Sequence, residues 1–246
     1  MEIPAMERID MPLRAIPPLA EGEVHLWHAR LRNLPVMEAE SGEAGEENHG
    51  ISRSDRIRQL RMGQKFVFRL LLGAYLEIPG RDVVTVRGPA GKPLLAPPLA
   101  RSGITFNLSH AGDRLAIAVA RQMPVGIDVE NPDREVRWQK LARRWFSRNE
   151  AEWLETLEAQ AARAEFLRLW TVREAMIKAM GATIAGHISQ VLPRPGAPGR
   201  IDSLPADWPE AKSWTLHELD RETGLQGWLA VPGPLTSIRT FELGMP

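Results

Sequence analysis

Apolar positions change period several times along the chain, and each change predicts an element. Residues Val24–Leu31 (VHLWHARL) alternate as a strand does. From Ser54 to Leu76, the residues Ile57, Leu60, Phe66, Val67, Leu70, Leu71 and Ala74 recur at helical spacing, with Ser54 or Asp55 as the N-cap. Two further segments read as sheet strands joined by tight connections. The first is Ile104–Leu108 (ITFNL). The second is Leu115–Ala120, followed across a Met-Pro turn by Val125–Val129. Helical blocks follow over about 135–160 and over Ala164–Met180, then strand-like pieces at 213–219 and 225–231. Pro-rich residues 1–22 read as an N-terminal arm, Gly80 and the cluster 88–98 as loops, and the acidic stretch 37–50 as a surface loop.

This order of elements predicts an α+β fold. The segment Phe66–Leu76 resembles Leu169–Met180 in period and in the placing of Arg69 and Arg173. Two related α+β halves meeting at a cleft would explain the echo, and so would chance likeness between two amphipathic helices.

Composition narrows the chemistry. The 246 residues can bury a sizeable core, and 43% hydrophobic with 25% charged residues is ordinary for a globular protein. Lys+Arg and Asp+Glu are 31 each, so no global field draws the chain to nucleic acid or an anionic membrane. The absence of cysteine removes disulfides, thiolate metal sites and a thiol nucleophile, and fits a cytoplasmic setting. No apolar run reaches the roughly 18 residues of a spanning helix, and no signal peptide is read at the N-terminus.

Several residues stand out chemically. Asp128 and Glu130 share one face of a strand, while Ile127 and Val129 face the other way. Paired carboxylates with phosphate oxygens and water suit a magnesium ion; a solvated strand edge is the plainer reading. On the later helix, Glu174 and Lys178 are i, i+4 neighbours at the border of an apolar arc, and Arg173 falls near its middle. Either the three reach a half-buried anionic site, or they form a surface ion pair beside a snorkelling arginine. Ser109-His110 at a strand end and Gly91-Lys92-Pro93 in a loop could each meet a phosphate, or serve structure alone. Arg53, Arg56, Arg58 and Arg61 crowd the start of a helix, where a bound phosphate would reconcile cations with the positive end of the dipole; a solvated basic face is the rival.

Taken in order, GKP (91–93), FNLSHAGD (106–113), GIDVE (126–130), FSRNE (146–150) and WTVREAMIKAMG (170–181) resemble the Sfp-type 4′-phosphopantetheinyl transferases over roughly residues 50–185. The resemblance implies two similar α+β halves related by a pseudo-two-fold, here residues 23–122 and 123–246, with the active site between them. It implies transfer of 4′-phosphopantetheine from coenzyme A to a serine of an apo acyl or peptidyl carrier protein, releasing adenosine 3′,5′-bisphosphate. Asp128, Glu130 and Glu174 match the family's magnesium ligands, and Glu174 its usual base. Lys178 matches the pyrophosphate contact and His110 a contact to a CoA phosphate. Arg53, Arg58, Lys92, Pro93 and Ser109 fall at or near positions lining the adenosine and its phosphates. The expected partners are CoA and the carrier, for a cytoplasmic monomer without nucleic acid or membrane. Arg173 replaces a family lysine and Ala111 a family serine. A non-catalytic CoA-binding module or a diphosphate hydrolase using the same acids are the alternative readings.

Overall fold

Strand β2 (Glu23–Arg30) is buried at every position but its last, because it lies inside a sheet that is covered on both faces. The structure, a computed structural model, describes residues 5–11, 13, 16–33, 52–219 and 223–244. The acidic stretch 37–50 lies outside the described residues. The sheet containing β2 has five strands in the order β1 (Glu7–Asp10), β12 (Ser237–Gly244), β2, β6 (Arg114–Arg121) and β5 (Ile104–Ala111). The pairs β1–β12 and β12–β2 are parallel; β2–β6 and β6–β5 are antiparallel.

One face of this sheet packs on helix α1 (Arg53–Leu76). Val67, Leu71 and Leu72 of α1 meet Trp27, Leu115, Ile117 and Phe241. The other face, through Val24, Leu26, Ala116, Ala118 and Ala120, packs on a second sheet, through Val125, Ile127, Val129, Leu229 and Val231. That sheet is antiparallel, in the order β10 (Thr215–Glu218), β11 (Gln226–Val231), β7 (Gly126–Glu130). Its far side carries helix α4 (Ala159–Met180), whose Val172, Ala175 and Met176 meet Trp228 and Ala230. The layers therefore run helix, sheet, sheet, helix, an α+β arrangement. The unbroken apolar run of β6 follows from it: a strand buried on both faces has no polar side to alternate with.

Smaller elements fill the connections. Strands β3 (Thr85–Arg87) and β4 (Pro93–Leu95) form a hairpin, as do β8 (Leu192–Arg194) and β9 (Ala197–Ser203). Helices α2 (Trp138–Trp145) and α3 (Arg148–Glu155) precede α4, and α5 (Ile184–His187) follows it.

The structure corrects several boundaries. The N-terminal arm contributes an edge strand, β1. The cap of α1 is Ser52, whose Oγ accepts from the Asp55 amide at 3.1 Å, rather than Ser54 or Asp55. The loop cluster 88–98 contains half of a hairpin. The expected helix over 135–160 is broken at Phe146–Ser147, and α4 begins five residues before Ala164. The segments 115–120 and 125–129 belong to different sheets. Residues 237–244, at the far end of the chain, return to the first sheet as its second strand.

Candidate functional site

The site forms where the free edges of the two sheets meet. β5 is the outer strand of one sheet and β7 of the other, and side chains stitch them where backbone does not. Thr105 Oγ1 donates to the Met123 carbonyl at 2.5 Å, Asn107 Oδ1 accepts from the Ile127 amide at 2.9 Å, and Ser109 Oγ accepts from the Val129 amide at 3.3 Å. The three residues share one face of β5, as period two requires. This T-x-N-x-S alternation was visible in the sequence and is the signal that identifies Asn107 and Thr105 as seam residues.

Ser109 also donates to Asp128 Oδ1 at 2.9 Å. From the other side, α4 delivers Lys178, whose Nζ donates to the same oxygen at 2.5 Å and lies 3.3 Å from Ser109 Oγ and 3.7 Å from Glu174 Oε2. Asp128 is buried, and Glu130, two residues along the same face, is half-buried and paired with Arg134. The structure thus brings Ser109, Asp128, Glu130, Glu174 and Lys178 into one cluster at the seam. The Glu130–Arg134 pair was not anticipated; its i, i+4 spacing spans a turn rather than a helix.

Electrostatics reflect crowding of like charges. Burial pushes the Glu174 carboxyl up to about 7, with repulsion from Asp128 and Glu130 adding to it. Burial likewise raises Glu130, against the opposing pull of Arg134. Burial works against the charged form of Lys178, but Asp128 and Glu174 outweigh it and hold the ammonium above its ordinary value. His110, exposed near the end of β5, is lowered by partial desolvation and by the positive charges of Lys178 and Arg61, against the opposing pull of Asp128. Three carboxyl groups face two cations here.

Donor chemistry at this point fits a magnesium ion, since all three acids offer hard oxygen and their mutual repulsion calls for a further cation. Among the described residues, no three His, Asp or Glu side chains already stand in metal-holding geometry. The Lys178 ammonium lies between Asp128 and Glu174 instead.

Other expected residues lie elsewhere. Arg173 supports neither reading drawn from its helical phase. It is fully buried on the side of α4 away from the cleft, where its guanidinium pairs with Glu150, donates to the Leu169 carbonyl at 2.8 Å and lies 3.9 Å over the Phe146 ring. Glu150 closes a capping box at the start of α3, accepting from the Ser147 amide at 2.9 Å. The FSRNE and WTVRE segments are therefore two ends of one buried device. Burial pulls Arg173 down to about 10, with Glu150 opposing. Lys92 turns its ammonium to the backbone. It donates to the carbonyls of Val125, Lys178 and Ala179 at 2.9, 2.7 and 3.3 Å, and burial lowers it to about 8. Lys92 and Pro93 also line an apolar cavity of about 640 Å³, together with Leu94, Phe106, Met123 and Met180. Arg53 and Arg58 are exposed on the first turns of α1, Arg53 about 12 Å along the axis from Arg61.

The edges of two sheets and one long helix converge on three acids and a lysine. The sequence pattern of the 4′-phosphopantetheinyl transferase superfamily matches residues 124–221, which hold β7 and α4. The chain is 30% identical to the 4′-phosphopantetheinyl transferase HetI of Nostoc sp. over 221 residues, 87% of this chain and 90% of that protein. It is 30% identical to the 4′-phosphopantetheinyl transferase gsp of Aneurinibacillus migulanus over 131 residues, 53% of this chain and 51% of that protein. It is 31% identical to the 4′-phosphopantetheinyl transferase psf-1 of Bacillus pumilus over 139 residues, 56% of each. The chain belongs to the 4′-phosphopantetheinyl transferase superfamily and is an enzyme of that class. Among the described residues, no helix is long and apolar enough to cross a membrane.

Proposed function

We propose that this enzyme transfers 4′-phosphopantetheine from coenzyme A to a serine hydroxyl of an apo carrier protein, releasing adenosine 3′,5′-bisphosphate. The observation that carries the reading is Lys178 seated between Asp128 and Glu174, with Glu130 beside them, at the meeting of two sheet edges. Asp128, Glu130 and Glu174 would hold a magnesium ion, which supplies neutralising charge to diphosphate oxygens when bound. The serine oxygen attacks the β-phosphorus of CoA as the bond from that phosphorus to the departing adenosine bisphosphate breaks. Glu174, or a water that it positions, would take the serine proton. Lys178 binds the diphosphate and stabilises charge on the leaving phosphate.

Ser109 would meet the phosphates from the seam face of β5 and His110 from the strand's other face, with Arg53 and Arg58 as outlying cations on α1. Pro93, Leu94 and Phe106 line the cavity beside the cleft, where the adenosine end of CoA would fit. Ser109 and His110 come from β5 of the first sheet, Asp128 and Glu130 from β7 of the second, and Glu174 and Lys178 from α4. Arg173, whose departure from the family lysine was, with Ala111, the support for a non-catalytic module, is buried beside Glu150 and gives that module no support.

The test is a mass measurement. Apo carrier protein incubated with CoA, magnesium and this enzyme gains one phosphopantetheine. Asp128→Ala and Glu174→Ala abolish the gain while keeping the wild-type circular dichroism spectrum. Wild-type turnover in both variants overturns the proposed site.

A further inference from the structure

The Lys92 ammonium has three protons, and all three are donated to backbone carbonyls. Two of those carbonyls, Lys178 and Ala179, belong to the last turn of α4, where the dipole is negative; the Lys178 carbonyl also accepts from the Gly181 amide at 3.2 Å. The third, Val125, immediately precedes β7. Every proposed acid and the proposed diphosphate lysine ride on these two elements. Asp128 and Glu130 are on β7, Glu174 and Lys178 on α4.

The same junction is held from within by Gly126. A Cβ there would overlap the Ala175 carbonyl oxygen and the Ala179 amide, so β7 and α4 touch backbone to backbone. Gly126 permits that approach, and Lys92 is the group that fastens it from the side. The hairpin β3–β4 brings Lys92 there from the other half of the chain, since Pro93 begins β4. An ammonium spent on three carbonyls has no proton left for a phosphate.

We infer that Lys92 is a positioning residue of the transferase site, clamping the C-terminal turn of α4 to the start of β7, and is not a ligand of a CoA phosphate. The inference rests on the function proposed above. Its experiment compares Lys92→Met and Lys92→Gln with the wild-type chain in two measurements. The first is steady-state transfer to apo carrier from CoA and from 3′-dephospho-CoA. The second is calorimetric binding of adenosine 3′,5′-bisphosphate, which needs no turnover.

The expected result is a fall in kcat of about 10- to 100-fold for Lys92→Met, because an error near 1 Å in reacting groups carries a cost of that size. The factor is the same for both substrates. Lys92→Gln, which keeps two donors, loses less, and the bisphosphate affinity of both variants stays within about threefold of wild type. A loss confined to CoA, a selective loss of bisphosphate affinity, or unchanged kcat in Lys92→Met overturns the inference. If Lys92→Met does not fold, the Lys92→Gln comparison decides by the same criteria. Failure of the functional reading is distinct: the wild-type chain itself then transfers nothing from either substrate.

Discussion

At the scale of single residues, the informative case is a cation in an apolar stripe. Arg173 sits at a position where an unpaired charge would cost several kcal/mol, and the sequence does not say which partner relieves it. The partner, Glu150, is 23 residues away and lies on another helix. Glu150 divides its oxygens, one to Arg173 and one to the Ser147 amide and hydroxyl, so the pair and the helix cap stand or fall together. Arg173→Met is expected to leave Glu150 buried and unpaired and to cost about 3–5 kcal/mol of stability. Arg173→Lys, with one amine in place of a fork, is expected to cost less, about 1–3 kcal/mol, because it cannot reach both Leu169 and Glu150. Urea denaturation reads both. Neither change moves a cleft group directly, so transfer at a temperature where the variant is folded stays within about threefold of wild type; a hundredfold drop in folded Arg173→Lys would return the residue to the active site. In contrast, strand and helix periods put Asp128 with Glu130 and Glu174 with Lys178 on shared faces, but a solvated edge and a surface ion pair fitted those periods as well, and only the family resemblance joined the two pairs. Lys92 was not legible in the same way. Its partners are carbonyl oxygens, which every residue has and no residue type announces.

At the scale of elements, Gly126 shows what a short motif encodes. The strand GIDVE needs its acids on one face and its apolar residues on the other, and neither demand explains a glycine. The close passage of α4 does. Gly126→Ala is expected to push β7 and α4 apart, because the obstructing atoms are backbone and cannot rotate away. Overpacking of this kind costs about 1–3 kcal/mol, which for a chain of this size lowers Tm by roughly 2–10 °C. Transfer falls by about 100-fold as Lys178 and Asp128 lose register. Thermal melts and steady-state kinetics check the pair of effects, and a variant with wild-type kcat would refute the contact. Other elements were readable in principle. The break at Phe146–Ser147 carries an S-x-x-E capping box in plain sequence, Ser147 to Glu150. By contrast, β12 alternates poorly: Ile238, Phe241, Leu243 and Gly244 are its buried positions, so period two gives little warning of a strand. Its place was set by β2 and β1 on either side, information held more than 200 residues away.

At the scale of the whole molecule, two sheets back to back leave β2 in the middle of the stack, and β2 carries two histidines. His25 shares its Nδ1 with the Tyr75 hydroxyl at 2.6 Å and lies 3.3 Å from Glu23. His28 has less: it is buried, and neither ring nitrogen has a hydrogen-bond partner. Burial pushes His28 down to about 4, although Glu242 stands opposite it on β12 and lines the same small cavity. In the unfolded chain the same ring titrates near its ordinary value of about 6.5. Below that value the unfolded chain binds a proton that the folded one refuses. Stability contributed by neutral His28 is therefore complete above about pH 6.5 and is lost as pH falls toward 4. Between pH 7.5 and pH 5 the loss through this one residue amounts to about 2 kcal/mol. Comparing urea midpoints of wild type and His28→Leu at both pH values isolates it. The variant lacks that share of the decline, whereas the carboxylates of the distant cleft contribute equally to both proteins and cancel. An identical pH dependence in the two proteins would mean that the His28 ring finds a partner when protonated, and that the layer around β2 opens to water more readily than its packing implies.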